Sequence, residues 1–71
     1  MGEWVNISRS SWLAEAMYDA DSRSLFLRLK TGADVEVLDV SPRVWSEFMR
    51  APSRGRYLWN VVFPNHEKRV I

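Results

Sequence analysis

Apolar positions along this 71-residue chain change period once, near residue 41. Before that point apolar and polar side chains alternate, the mark of strands with one buried face. After it apolar residues recur every three to four positions, the mark of amphipathic helices. Trp12, Ala14, Ala16 and Tyr18 share one parity and Leu13, Glu15 and Met17 the other, which predicts a strand over 12–18. Asp19-Ala20-Asp21-Ser22 is turn chemistry, because Asp and Ser side chains bond nearby backbone groups. Leu25, Leu27 and Leu29 mark a second strand over 25–30, and a third runs over 34–40. Thr31-Gly32-Ala33 reverses the chain between them, glycine supplying a positive φ. A three-residue loop at 31–33 sets Leu29 opposite Val35, Leu27 opposite Val37 and Arg28 opposite Glu36. A two-residue loop would set Leu27 against Glu36, and a one-residue slip turns every side chain to the wrong face. The inner face is then Trp12, Ala14, Ala16, Leu25, Leu27, Leu29, Val35 and Val37, and the outer face carries a Glu15, Arg28, Glu36 row.

Ser41-Pro42 starts a helix over 42–50, with serine as N-cap and proline at the first helical position. Its apolar stripe is Val44, Trp45, Phe48 and Met49. Pro52 disfavours helical geometry at Ala51 and ends it. Ser53 caps a second helix over 54–62 with the stripe Tyr57, Leu58, Val61 and Val62, and Pro64 stops it. Trp4-Val5-Asn6-Ile7, in an N-terminal arm of residues 1–9, is either a short strand or an ordered arm. The tail 64–71 is polar through Arg69 and frays. The expected architecture is α+β: a three-stranded antiparallel β-meander (12–18, 25–30, 34–40) followed by two helices packed on one sheet face. Neither half is stable alone, and joining the stripes to the leucine face solves both problems.

Length allows one domain over 1–71. A chain this short buries only roughly 60% of its extended surface. It has no cysteine, so neither a disulfide nor a thiolate metal site can staple it. Nine aromatics, four of them tryptophan, therefore read as core staples. No apolar run approaches a membrane span and no signal segment opens the chain, so the expected location is the cytoplasm. The net charge of +1 hides an asymmetry: residues 1–40 carry four basic against seven acidic side chains, net −3, and residues 41–71 carry six against two, net +4. Such a basic half is either an ordinary solvated surface or a mark of an acidic partner.

Several segments taken in order resemble the KTSC domain, a small module named for its place at the C-terminus of some lysyl-tRNA synthetases. They are Ser10-Ser11, Tyr18-Asp19, Leu25 through Gly32, Val40-Ser41-Pro42 with its helix, and Ala51-x-Ser53-x-Gly55-x-Tyr57, spanning about residues 10–63. The resemblance implies a stand-alone bacterial or phage form of a domain of unestablished function, with RNA binding as its suggested role. The chain departs from the family at two places. Val35-Glu36-Val37 stands where the family tends to have a Tyr-x-Tyr pair, and Trp59 where it tends to have asparagine. Val35 and Val37 fall on the inner face, so the family's tyrosines read as packing residues.

Catalytic chemistry is not expected. His66 is the only histidine and lies in the polar tail with no nucleophile arranged around it. Asp19-x-Asp21 fails as a calcium loop, because Ser24 stands where glycine is needed and Lys30 where glutamate is. Gly2, Gly32 and Gly55 are isolated, so no phosphate loop exists, and no metal or cofactor is expected. The remaining signal is a cluster of arginines. Arg54 and Arg56 flank Gly55 in the first turn of the second helix, where the helix dipole repels cations and attracts anions. Arg50 lies one turn upstream and Arg43 further along the first helix. Ser53 and the first-turn amides add donors, arginine's fork suits phosphate oxygens, and Trp59 lies one turn beyond Arg56, placed to stack on a base. The expected partner is RNA, bound through Arg43, Arg50, Ser53, Arg54, Gly55, Arg56 and Trp59. The bland reading has these arginines paired with Asp19, Asp21 or the end of the first helix, and Gly55 letting the helices touch. A third reading is a protein partner on an exposed aromatic or a sheet edge.

Overall fold

The structure, a computed structural model, describes residues 2–7 and 9–71. Its elements are β1 (Val5–Asn6), β2 (Leu13–Asp19), β3 (Ser24–Leu29), β4 (Asp34–Val37), α1 (Pro42–Arg50), α2 (Arg54–Tyr57), a π-helical turn (Leu58–Val62), α3 (Phe63–Asn65) and β5 (Lys68–Val70). The sheet is antiparallel with strand order β1-β2-β3-β4-β5. The α+β class stands, but the three-stranded meander does not: the described residues form five strands. The arm supplies β1, and the tail expected to fray supplies β5. All three residues of β5 are exposed, so it has no apolar alternation to reveal it. It is held instead by backbone bonds on its flanks, Leu38 N–H to the Glu67 carbonyl (2.8 Å) and Ile71 N–H to the Asp34 carbonyl (3.0 Å).

The register differs from the expected one by two positions. Leu27 faces Val35, Leu25 faces Val37, and Arg28 faces Asp34. The Gly32 N–H donates to the Leu29 carbonyl at 2.9 Å, and Gly32 has φ 95°. The loop is therefore Lys30–Gly32, one residue earlier than expected, because the left-handed position closing such a loop falls on the glycine. A shift of two keeps every side chain on its face, so the leucine face survives the error. The outer row changes: Arg28 bonds Asp34 (3.0 Å) and Glu15 (3.3 Å) beneath the Trp4 ring (4.1 Å), while Glu36 takes Ser24 Oγ–H (2.7 Å) and Arg69 (2.9 Å).

A second correction lies in β2. Ala16 and Tyr18 face inward as expected, but a bulge between Leu13 and Glu15 inserts Ala14 as an extra residue. Leu13 thereby turns inward and is fully buried, whereas Ala14 is only partly so. The core closes on the helices through Leu13, Leu25, Leu27, Val37, Val40, Phe48, Leu58 and Val62, all fully buried. Tyr18 spans it, its hydroxyl donating to the Val40 carbonyl at 2.6 Å, and stacks on Trp45 at 5.5 Å. The tryptophans do not fill the centre: Trp4, Trp12 and Trp45 are half-buried and Trp59 is exposed.

The second helix outlasts Pro64. Proline has no N–H to give to the residue four before it. Here the preceding turn widens, with the Phe63 N–H bonding the Leu58 carbonyl five residues back. Asn65 Nδ2 donates to the Val61 carbonyl (2.7 Å), and His66 Nδ1 meets the Val62 carbonyl (2.8 Å). A carbonyl only accepts, so that imidazole nitrogen carries the proton, and His66 caps a helix end instead of waving in solvent. Val61, expected in the buried stripe, is exposed.

Candidate functional site

The link between the helices is set by local chemistry. Ala51 is extended (φ −66°, ψ 137°) ahead of Pro52. Ser53 is extended as well, and its Oγ accepts the Arg56 N–H at 3.4 Å. Arg54 does not point outward from this start. It turns back to α1, where Nη2 donates to the Met49 carbonyl at 2.8 Å, and its Nε is buried without a partner. A cation at the opening of one helix is thus tolerated because it serves the negative, carbonyl-rich end of the one before. Arg56 is exposed, and neither it nor Arg54 is in an ion pair among the described residues.

Gly55 is a point of close approach at the start of the second helix. It faces Trp12, and a Cβ there would lie 2.9 Å from Trp12 Nε1. Trp12 in turn contacts Trp59 at 6.0 Å and Phe63 at 6.3 Å between ring centroids, and Trp59 meets Phe63 edge-on at 5.1 Å. Three aromatics therefore hold one another, and Trp59 keeps 60% of its surface exposed.

Between the arm and the start of the second helix lies a cleft of about 680 Å³. Arg9, Arg54 and Arg56 line it together with the hydroxyls of Ser10, Ser11 and Ser53, and Trp12 and Trp59 form an aromatic wall. No carboxylate is among its described lining residues. Ser10 shapes the arm here by accepting the N–H groups of Trp12 (3.3 Å) and Leu13 (3.0 Å). Five of the sequence-derived site residues, Ser53, Arg54, Gly55, Arg56 and Trp59, meet in this cleft. Arg43 and Arg50 do not line it. Arg43 pairs with Glu47 one turn on (3.3 Å), and the Glu47 carboxyl also accepts the Tyr57 hydroxyl (2.9 Å). That hydrogen bond, helped by Arg43, holds Glu47 below the usual carboxylate range. Arg9 went unread as a site residue because nothing local to residues 9–12 marks it as facing residues 51–59.

Across the Trp12–Trp59 wall a smaller cleft of about 330 Å³ lies against Leu27, Leu29, Val35 and Val70, with Lys68 and Arg69 at its rim. Asp19 and Asp21 form an Asx turn, Asp19 Oδ1 accepting the Asp21 N–H at 3.1 Å. No group of three metal-ligating side chains occurs among the described residues. Nor, among them, is any helix long and apolar enough to cross a membrane.

Comparison with known proteins agrees with this architecture. No curated protein matches the chain. The crystal structure of a KTSC domain protein from Yersinia pestis superposes with a TM-score of 0.90 at 28% identity, covering 100% of this chain and 99% of that one. The family model of the KTSC domain matches residues 9–65, which include both walls of the arginine cleft, and the chain belongs to the KTSC domain family.

Proposed function

We propose that this KTSC protein is a non-catalytic binding module whose partner is RNA, taken as a single strand in the cleft between the arm and the second helix. The observation that carries this reading is the lining: three arginines and three serine hydroxyls with no carboxylate among the described residues. Such a surface attracts a polyanion, and Trp59 beside it offers a face to an unpaired base. A duplex keeps its bases stacked inward and cannot use that face. Arg43 and Arg50 lie outside the cleft and add only to the surrounding positive field. The module works in the cytoplasm, where its partner is found.

Fluorescence polarisation with a labelled single-stranded RNA tests this. Neutralising about two phosphates, one for each exposed arginine of the cleft, gives a slope of about −1.4 in log affinity against log salt. Arg9→Glu with Arg56→Glu, both at exposed side chains, keeps the melting temperature and abolishes binding. Absence of any salt-sensitive binding by the wild-type protein refutes the reading. A second reading, a protein partner, draws on exposed Trp59, Val70 and Ile71 and on the β5 edge. Its binding persists at high salt and is insensitive to the two arginine reversals.

A further inference from the structure

We infer that the cleft holds one nucleotide unit, with its phosphate between Arg9 and Arg56 and its base on the exposed face of Trp59. The inference rests on the cleft and the anion-plus-base chemistry assigned in the reading above, not on the length of the strand, and narrows it to a ligand that can be offered alone. Its volume, about 680 Å³, falls in the range of small-molecule sites, roughly 300–1,000 Å³. Two separate chain segments face each other across it. The arm contributes Arg9 and the second helix contributes Arg56, both exposed. Arg54 is occupied at the Met49 carbonyl, so it supplies field and not contact. Two accessible guanidinium groups match the charge of a phosphate monoester, about −1.5 to −2 at neutral pH.

The hydroxyls suit the same anion. Ser10 and Ser53 spend their oxygens as acceptors of backbone N–H groups, which leaves each O–H free to donate. The aromatic wall is ordered in advance. Trp59 is braced edge-on by Phe63 and tilted against Trp12, so little side-chain freedom is lost when a flat ring settles on it. A phosphate alone would leave Trp59 unused, and a nucleoside alone would leave the arginines unused. A nucleotide engages both.

The test is calorimetric titration of the whole protein with adenosine 5′-monophosphate, adenosine, inorganic phosphate and a short single-stranded oligoadenylate, with the indole N–H signals of Trp12 and Trp59 followed by NMR. The expected result is that the monophosphate binds about tenfold or more tighter than adenosine or phosphate, the range a single stacked base supplies, and moves the Trp59 signal. Arg56→Gln lowers its affinity to that of adenosine, and Trp59→Leu to that of phosphate. Trp59→Phe retains most of it, Arg56→Gln keeps the wild-type melting temperature, and Trp59→Leu, which gives up packing on Trp12 and Phe63, is titrated below its own lowered melting temperature. A monophosphate that binds no better than its parts, or that ignores both substitutions, overturns the inference. Binding of oligoadenylate without the monophosphate overturns it too, while leaving the RNA reading intact. Binding of the monophosphate without oligoadenylate supports it, identifies the source as a free nucleotide, and overturns the RNA reading. Silence from every probe refutes both.

Discussion

Placing a methyl group on Gly55 sets helix propensity against packing, and the structure says packing wins. Alanine is a better helix former than glycine by up to about 1 kcal/mol, and Gly55 lies in the first turn of α2. The new Cβ, however, would stand 2.9 Å from Trp12 Nε1, 3.5 Å from Cε2 and 3.6 Å from Cζ2. Ordinary contact needs roughly another 0.5 Å. The Trp12 ring has little room to retreat, with Trp59 at 6.0 Å and Phe63 at 6.3 Å. Overpacking of this kind costs about 1–3 kcal/mol. Offsetting the propensity gain leaves a net loss centred near 1 kcal/mol, which in a domain of this size lowers the melting temperature by roughly 4–8 °C. Thermal melts followed by far-UV circular dichroism read the effect directly. The companion variant Trp12→Phe isolates its cause. In that background the shorter ring relieves the contact, and Gly55→Ala becomes neutral or stabilising, a positive coupling in a double-mutant cycle. A rise in melting temperature for Gly55→Ala in the wild-type background would refute the argument, since propensity would then be acting unopposed.

Other consequences follow from single contacts. Ser41→Ala removes the cap whose Oγ accepts the Val44 N–H at 3.2 Å and costs about 1 kcal/mol, measurable by urea unfolding; an unchanged midpoint would show that the cap adds nothing. Arg54→Met strips the Met49 carbonyl of its donor and lowers stability by about 1 kcal/mol, whereas Arg56→Met changes it by less than about 0.5 kcal/mol; equal effects on unfolding would contradict the different placements of the two side chains. Stability should also fall in acid. Glu36 is held below its ordinary value of 4.5 chiefly by the Ser24 hydroxyl and then by Arg69, and Glu47 chiefly by the Tyr57 hydroxyl and then by Arg43. Both carboxyls bind protons less readily folded than unfolded, so their stabilisation is complete above the unfolded value and is lost as pH falls through the folded one. Melting temperatures of the wild type drop below pH 4.5 more steeply than those of a Glu36→Gln, Glu47→Gln variant, and parallel curves would refute the assignment.

The α1 helix was legible throughout, because its start and stop are written in adjacent residues: Ser41 accepts the Val44 N–H, and Pro52 forces Ala51 out of helical geometry. The faces of β3 and β4 were legible for a related reason. Alternation fixes parity, and parity survived a two-residue shift in register. The shift itself escaped because three-residue loops at 30–32 and 31–33 present the same faces, and only backbone hydrogen bonding places Gly32 at the left-handed position. The bulge at Ala14 escaped because Leu13 and Ala14 are both apolar, so the pattern is blind to which of them turns inward.

What the sequence determined alone was therefore local: the caps, the turns, the period of each segment and the family likeness carried by its ordered motifs. Tertiary structure decided everything that depends on residues far apart in the chain. It recruited β5, whose exposed residues have no pattern of their own, through hydrogen bonds offered by β4. It carried the second helix past Pro64 by widening one turn. It separated two arginines that look equivalent in sequence, tucking Arg54 against Met49 and leaving Arg56 to face Arg9 across a cleft. Short-range chemistry is written in neighbouring side chains, but a cleft is a relation between segments some forty residues apart, and only packing brings its walls together.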